Sequence, residues 1–459
     1  MISNEHKRLA QWAMEYALKN GCQASRVSLY TGFSSSIEVR DMKIDKLQQA
    51  SENGLVINLF VDGRYGSFST NRLNKVELER FIKGGIDSTR FLAEDKFRTL
   101  PDASLYYKGG GAPLSLIDPA FDSILPDDKV ALAMKVCDEI YGKDSRIISA
   151  NGSYGDEKSF KYMIASNGFE GENSNSSFTL VGNVSIKGDG EARPESYWYD
   201  SSIYFDVLQK DGIGTKSIER VLRKLGQQKI ASGKYAMVVD NMNSSRLLSP
   251  VIGALYGSAI QQKNSFLLDK QDKLTLGKNI TIKDEPHLVK AEGARYFDSE
   301  GVATTPRAIF DKGVLNTYFI DTYISNKMQL SPTISSPSIL TMENGTKDVD
   351  GLVSSLDKGI LVTGFNGGNC NSTTGDFSYG IEGFLIENGK TTQPISEMNV
   401  TGNMITLWNN LEEAGNDIRK SSSWRIPSLL FNDIEFSVLS LLTPKYNSSK
   451  GFYSGVLIP

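Results

Sequence analysis

Leu9, Trp12, Ala13, Tyr16 and Ala17 recur at helical spacing and Gly21 follows as a stop, which predicts an amphipathic helix over about residues 4–20. The period then changes to two. Arg26 to Tyr30, Ser36 to Arg40 and Leu55 to Val61 read as strands, and Asp62-Gly63 is a hairpin-turn signal before Tyr65 to Ser69 returns. A second helix is predicted from near Asn74 to about Phe91. The order then recurs: a helix opens at Pro126-Asp127-Asp128, strands follow at Ser159–Ala165, Phe178–Ile186 and Tyr197–Phe205, and Ser217–Leu225 closes the unit as a helix. Residues 1–225 thus read as an N-terminal α+β domain of two helix, antiparallel-sheet, helix units, 1–125 and 126–225, whose residues are not visibly similar.

Beyond Gly226 the texture is strand and turn, which predicts a β-rich C-terminal domain over 226–459. One helix interrupts it, at about residues 244–263, with Pro250 expected in its first turn, Ser249 as cap, and Gly253, Ala254, Gly257 and Ser258 as small residues along one face. Asn366 to Gly375 reads as a long loop. The fold class is therefore α+β.

Composition narrows the chemistry. Over 459 residues, 50 Lys+Arg stand against 54 Asp+Glu, a net charge of -4 without a basic stripe, which argues against direct nucleic-acid binding. No apolar run reaches the roughly 18 residues of a bilayer span, and Cys22, Cys137 and Cys370 are scattered without a CxxC. A cytoplasmic protein with reduced thiols and no membrane contact is the expectation. With only two histidines, His6 and His287, no HExxH-type zinc helix can be built. Gly389-Lys390-Thr391 ends like a phosphate loop, but Phe384 occupies the required glycine position, so a hairpin turn is the better reading.

Several segments taken in order carry a resemblance: Ser36-Ile-Glu-Val-Arg40, Asn53-Gly-Leu-Val-Ile57, Phe60-Val-Asp-Gly-Arg64, Phe297-Asp-Ser-Glu-Gly-Val302, Thr374-Gly-Asp-Phe-Ser378, Gly383-Phe-Leu-Ile-Glu-Asn-Gly389, Thr401-Gly-Asn403 and Gly415-Asn-Asp417. Across most of its length the chain resembles the TldD/TldE (PmbA) family, which includes zinc metallopeptidase subunits and was once described as modulators of DNA gyrase. In the family's catalytic members the helix after the first C-terminal strand carries His-Glu-x-x-x-His, and a later cysteine completes the metal site. Laid on this sequence through Gly253, those positions hold Ser249, Pro250 and Ala254, and Arg419 to Pro427 offers no thiol. None of the three side chains can bind zinc or serve as a general base. The chain therefore resembles the TldE (PmbA) type, without catalytic residues or metal of its own. The resemblance implies a heterodimer with a TldD-type subunit that holds the zinc, acting on unfolded peptide; the chain pairing with itself is the arrangement left when that partner is absent.

Asp298, Glu300 and Asp376 lie within family-like turns and are the candidates for the peptide cleft or subunit contact. Two rivals stand beside this reading. One is an independent hydrolase with an atypical site, built on Cys370 or on a metal set of His287, Cys370 and a carboxylate such as Asp298 or Glu300. The other is a binding or regulatory protein with no peptidase partner.

Overall fold

The computed structural model describes residues 2–438. The N-terminal half comprises α1 (Asn4–Lys19), β1 (Ala24–Arg40), β2 (Lys43–Val61), β3 (Arg64–Thr70), α2 (Lys75–Arg90), α3 (Pro126–Asp138), β4 (Ile147–Ala165), β5 (Phe169–Ile186), β6 (Glu195–Ser202) and α4 (Ile213–Leu222). Ser3 and Asn74 cap α1 and α2 through their side chains, and Asp62 and Gly63 take positive φ to turn β2 into β3.

The two helix–sheet–helix units share one sheet of order β3-β2-β1-β4-β5-β6. They meet where β1 runs antiparallel to β4, from Arg26↔Ala165 to Arg40↔Asn151. Val27, Leu29, Ile37 and Val39 of β1 point to one face, where α1 and α2 cover one half and α3 and α4 the other. On the opposite face Met163, Ala165 and Phe169 pack against Tyr106 and Phe297, the latter from the C-terminal half.

That half continues with β7 (Gly233–Val239), α5 (Ser244–Gly253), α6 (Gly257–Gln261), β8 (Ile282–Asp284), β9 (Arg307–Asp311), β10 (Val314–Leu315), α7 (Thr322–Met328), β11 (Leu340–Met342) and α8 (Val349–Ser354). It then adds β12 (Lys358–Cys370), β13 (Asp376–Glu387), β14 (Lys390–Asn403), α9 (Met404–Asn409), β15 (Leu411–Ala414), β16 (Trp424–Arg425) and β17 (Leu429–Val438). Strands β14-β13-β12-β7-β17 form a mixed sheet that a β14–β17 pairing closes on itself, with β15 outside β17. The largest core cluster, centred on Trp408, Phe431, Leu247 and Val251, lies against this sheet and fixes α5.

Five expectations change. The strands predicted at Arg26–Tyr30 and Ser36–Arg40 are one strand, β1, and β2, β4 and β5 are also longer than their apolar runs. β6 stops at Ser202, so Tyr204 and Phe205 lie beyond it. The helix at 244–263 is two helices, because Tyr256 is extended and Gly257 N–H donates to Phe319 O at 2.8 Å; Ser265 Oγ donates to Ala254 O. Pro250 sits inside α5 rather than in its first turn, because the helix starts earlier: Asp240 O accepts from Ser244 N–H and Ser249 is not the cap. The proline has no N–H to give Arg246 O. Of the loop expected over Asn366 to Gly375 the first half is strand, since β12 runs to Cys370, and the turn is confined to residues 371–375.

Candidate functional site

The pattern of this half places α5 beside an open strand edge. β12 is parallel to β7 only from Gly359↔Ala236 to Val362↔Val239. Past Val362 it keeps β13 on one side, through Asn369↔Ser378 and Cys370↔Phe377, while no described strand pairs with its other side. Three side chains reach that edge: Asn243 Nδ2 donates to Thr363 O at 2.9 Å, Arg220 to the same oxygen at 3.3 Å, and Arg246 to Gly368 O at 3.4 Å. Arg246 belongs to α5, so the helix lies beside that edge.

On α5, Ser249 and Gly253 are exposed, Pro250 is half-buried and Ala254 is buried; a Cβ built at Gly253 would meet nothing within 4 Å. The segment Arg419 to Pro427 packs on the same helix, since Ser244 Oγ donates to Ile426 O at 3.2 Å. That contact is at the first turn of α5, and the positions laid on the family's metal motif offer only a hydroxyl, a proline ring and a methyl group. These residues do not fit zinc.

A cavity of about 550 Å³ lies between α4 and the C-terminal sheet, lined by Trp198, Arg220, Arg223, Asp240, Thr363 and Lys390, and a second of about 490 Å³ shares Arg220 and Thr363 and runs along Gly364 to Asn366 of the open edge. Gly389-Lys390 is the β13–β14 hairpin turn anticipated from the sequence, with Glu387 paired to Lys390. Arg220 ties the two halves together: its Nη2 donates to Thr363 O at 3.3 Å, its Nη1 stands 3.9 Å from Asp240 Oδ2, and its buried Nε has no partner among the described residues. Sequence reasoning missed Arg220 and Asp240, because their significance comes from a junction between elements far apart in the chain.

Burial pushes the Asp240 carboxyl up, against the opposing pull of Asn243 hydrogen bonds and Arg220. A carboxyl raised in the folded state holds its proton longer than in the unfolded chain, so it lowers stability as pH climbs from the ordinary carboxylate range through the folded pKa. Asp240→Asn abolishes that titration. Thermal unfolding measured from about pH 4 to pH 7 should show the wild type losing ground against the variant as pH rises; a constant difference between the two would remove the assignment.

The sequence-derived candidates sit elsewhere. Asp298 is 2% exposed, and its oxygens accept from the backbone N–H groups of Glu300 (2.8 Å), Val302 (3.0 Å) and Ser335 (3.0 Å), which shapes the turn rather than presenting a free carboxylate. Glu300 Oε2 accepts from Thr322 N and Oγ1, both at 2.9 Å, at the start of α7; burial pushes its carboxyl up. Asp376 is exposed beside Asn403 and Thr374, whose hydrogen bonds hold its carboxyl below the ordinary value.

His287 Nε2 bonds Thr304 Oγ1 at 3.0 Å and its ring lies 4.7 Å from that of Tyr296. Among the described residues no group of three or more His, Cys, Asp or Glu stands together as a metal site. The Cys370 thiol is pushed up by burial and then by Asp376, the reverse of what a thiolate nucleophile needs.

Against known proteins, profiles of the PmbA/TldA metallopeptidases match three stretches: domain 1 over residues 26–88, the central domain over 119–225 and the C-terminal domain over 232–438. The metalloprotease PmbA homolog of Haemophilus influenzae is 28% identical over 438 residues, covering 94% of this chain and 96% of its own. A crystal structure from Bacteroides thetaiotaomicron, of a protein named a modulator of DNA gyrase, is 64% identical with a TM-score of 0.94, covering 96% of this chain and 100% of that one. TldE from Thermococcus kodakarensis shares the fold at 16% identity and a TM-score of 0.82, covering 94% of this chain and 100% of its own.

Proposed function

Because the chain belongs to the PmbA/TldA metallopeptidase family, we propose that it is the TldE (PmbA)-type subunit of a two-subunit peptidase, one that holds unfolded peptide for a zinc-bearing TldD-type partner and has no catalytic metal itself. The observation that carries this reading is the edge of β12 beyond Val362, which no described strand pairs and beside which α5 lies. Apart from Thr363 O and Gly368 O, which Asn243, Arg220 and Arg246 already engage, an edge without a strand partner offers backbone donors and acceptors that an extended peptide can complete as a further strand. Beside it, the positions laid on the family's metal motif hold Ser249, Pro250 and the buried Ala254. The edge thus suits holding a peptide, and the helix beside it lacks the groups to cut it. No hydrolytic step is assigned to these residues.

The role of Cys370 as a nucleophile in an independent hydrolase is disfavoured by its raised thiol pKa. The heterodimer reading is tested by purifying the chain alone and mixed with a TldD-type protein from the same cell, then measuring complex formation, zinc content and cleavage of an unstructured peptide. The expected result is that the isolated chain holds well under one zinc and cleaves at background, while the mixture forms a complex and cleaves. Stoichiometric zinc with turnover in the chain alone would overturn the proposal.

A further inference from the structure

A separate cavity of about 520 Å³ lies where the end of β6 and the residues after it face the C-terminal half, and its lining includes Lys290, Arg419, Lys420 and Arg425. None of these four cations stands within ion-pair distance of a carboxylate among the described residues. Their contacts are with neutral groups. Arg425 Nη2 donates to Lys420 O at 3.0 Å, Arg419 Nη2 to Tyr199 O at 3.3 Å, and Lys290 Nζ lies 4.4 Å from the centre of the Tyr204 ring.

Two carboxylates line the same cavity without neutralising it. Asp200 Oδ2 accepts from Gln209 N–H at 2.9 Å. Glu292 is within ion-pair distance of none of the four, and desolvation pushes its carboxyl up. Burial also lowers the Arg425 pKa, the mark of a guanidinium partly stripped of water and left without a counter-charge. Ser201, Ser202 and Ser421 add hydroxyls, and Val207 and Val289, 70% and 57% exposed, give the rim an apolar surface.

The geometry points to an oxyanion-binding site, in which Lys290, Arg419, Lys420 and Arg425 take the phosphate or carboxylate of a small ligand whose apolar part rests on Val207 and Val289. Guanidinium and ammonium groups converging on a cavity form charge-assisted hydrogen bonds to such oxygens, and a half-desolvated arginine gains more from them than a surface one. Arg419, Lys420 and Arg425 come from the segment that touches α5 through Ile426, but no residue of α5 or of the β12 edge lines this cavity and the site needs no partner subunit, so its failure would leave the peptidase reading untouched.

The test is isothermal titration of the full chain with three probes: inorganic phosphate, a short apolar peptide with a free C-terminal carboxylate, and the same peptide as its C-terminal amide. Saturable binding that weakens with added salt and falls about tenfold in Lys290→Gln, and again in Arg425→Gln, is expected. Phosphate as the binding probe identifies a phosphorylated ligand; binding of the free peptide but not its amide identifies a peptide terminus. Lys290 and Lys420 are exposed, so Lys290→Gln and Lys420→Gln keep the test open where Arg425→Gln fails to fold. Absence of saturation with every probe, or unchanged affinity in Lys290→Gln, would sink the site.

Discussion

Asp156→Ala should cost this protein about 3–5 kcal/mol of folding stability, a loss large enough to approach unfolding of the domain that contains it. Asp156 and Lys129 form an ion pair of 2.5 Å with side chains only 1% and 8% exposed. The carboxylate also accepts from Tyr154 Oη at 2.9 Å and Ser35 N–H at 3.0 Å, and Lys129 Nζ donates to Ser35 Oγ at 3.0 Å. Ser35 and Asp156 are cross-strand partners, so the network pins the first turns of α3 onto the β1–β4 seam that joins the two N-terminal units. Removing the acid leaves a buried ammonium with hydroxyl company only. The double variant Lys129→Met/Asp156→Leu removes both charges and should recover most of the loss. Denaturant midpoints of the wild type, the single and the double variant decide it; a single variant within about 1 kcal/mol of wild type would mean the pair is solvated and idle.

The same network explains a gap in what the sequence disclosed. Val27 and Leu29, then Ile37 and Val39, alternate as a half-buried strand should, and both runs were legible. Between them Ser34 and Ser35 carry no apolar signal, because the sheet is covered there by Lys129 and Asp156 rather than by apolar side chains. The first residues of β2, Lys43 to Asn53, are almost wholly exposed and carry no burial period, so nothing local marked them as strand. Element order and fold class survive such gaps, since they follow from the apolar runs that do face a core.

Legibility of the site divides in the same way. The absence of metal donors at Ser249, Pro250 and Ala254 is a statement about residue types and can be read without coordinates. The open edge of β12 could not be: it depends on β7 ending at Val239 while β12 continues, and Asn366 to Cys370, rich in glycine and asparagine, has the composition of a loop. Asp298 illustrates the converse. Its turn was visible in the sequence, yet only the three amides around its carboxylate show that the group is occupied by its own backbone.

Glycine in strands was the signal passed over altogether, and it leads to the other large effect. Gly152 of β4 and Gly182 of β5 are cross-strand partners beneath α3 and α4. A Cβ on Gly152 would lie 2.2 Å from Ala133 O and 2.5 Å from Cys137 N, both backbone atoms of α3; one on Gly182 would lie 2.8 Å from Ser217 Oγ and 3.1 Å from Gly214 Cα of α4. Gly214 in turn lets α4 touch α3, with Val136 O 2.3 Å from where its Cβ would be. The pair is a notch into which two helices settle at backbone contact, and backbone cannot swing aside as a side chain can. Gly152→Val should therefore destabilise by about 3 kcal/mol or more, because α3 has to lift from the sheet and take Val136 and Cys137 out of the core. Gly84, exposed within α2 and with nothing within 4 Å of its Cβ position, is the contrast: Gly84→Ala should stabilise by about 0.5–1 kcal/mol through helix propensity alone. Unfolding midpoints of opposite sign for the two glycine replacements are the expected outcome, and a tolerated valine at 152 would mean that α3 does not rest on the sheet at this distance.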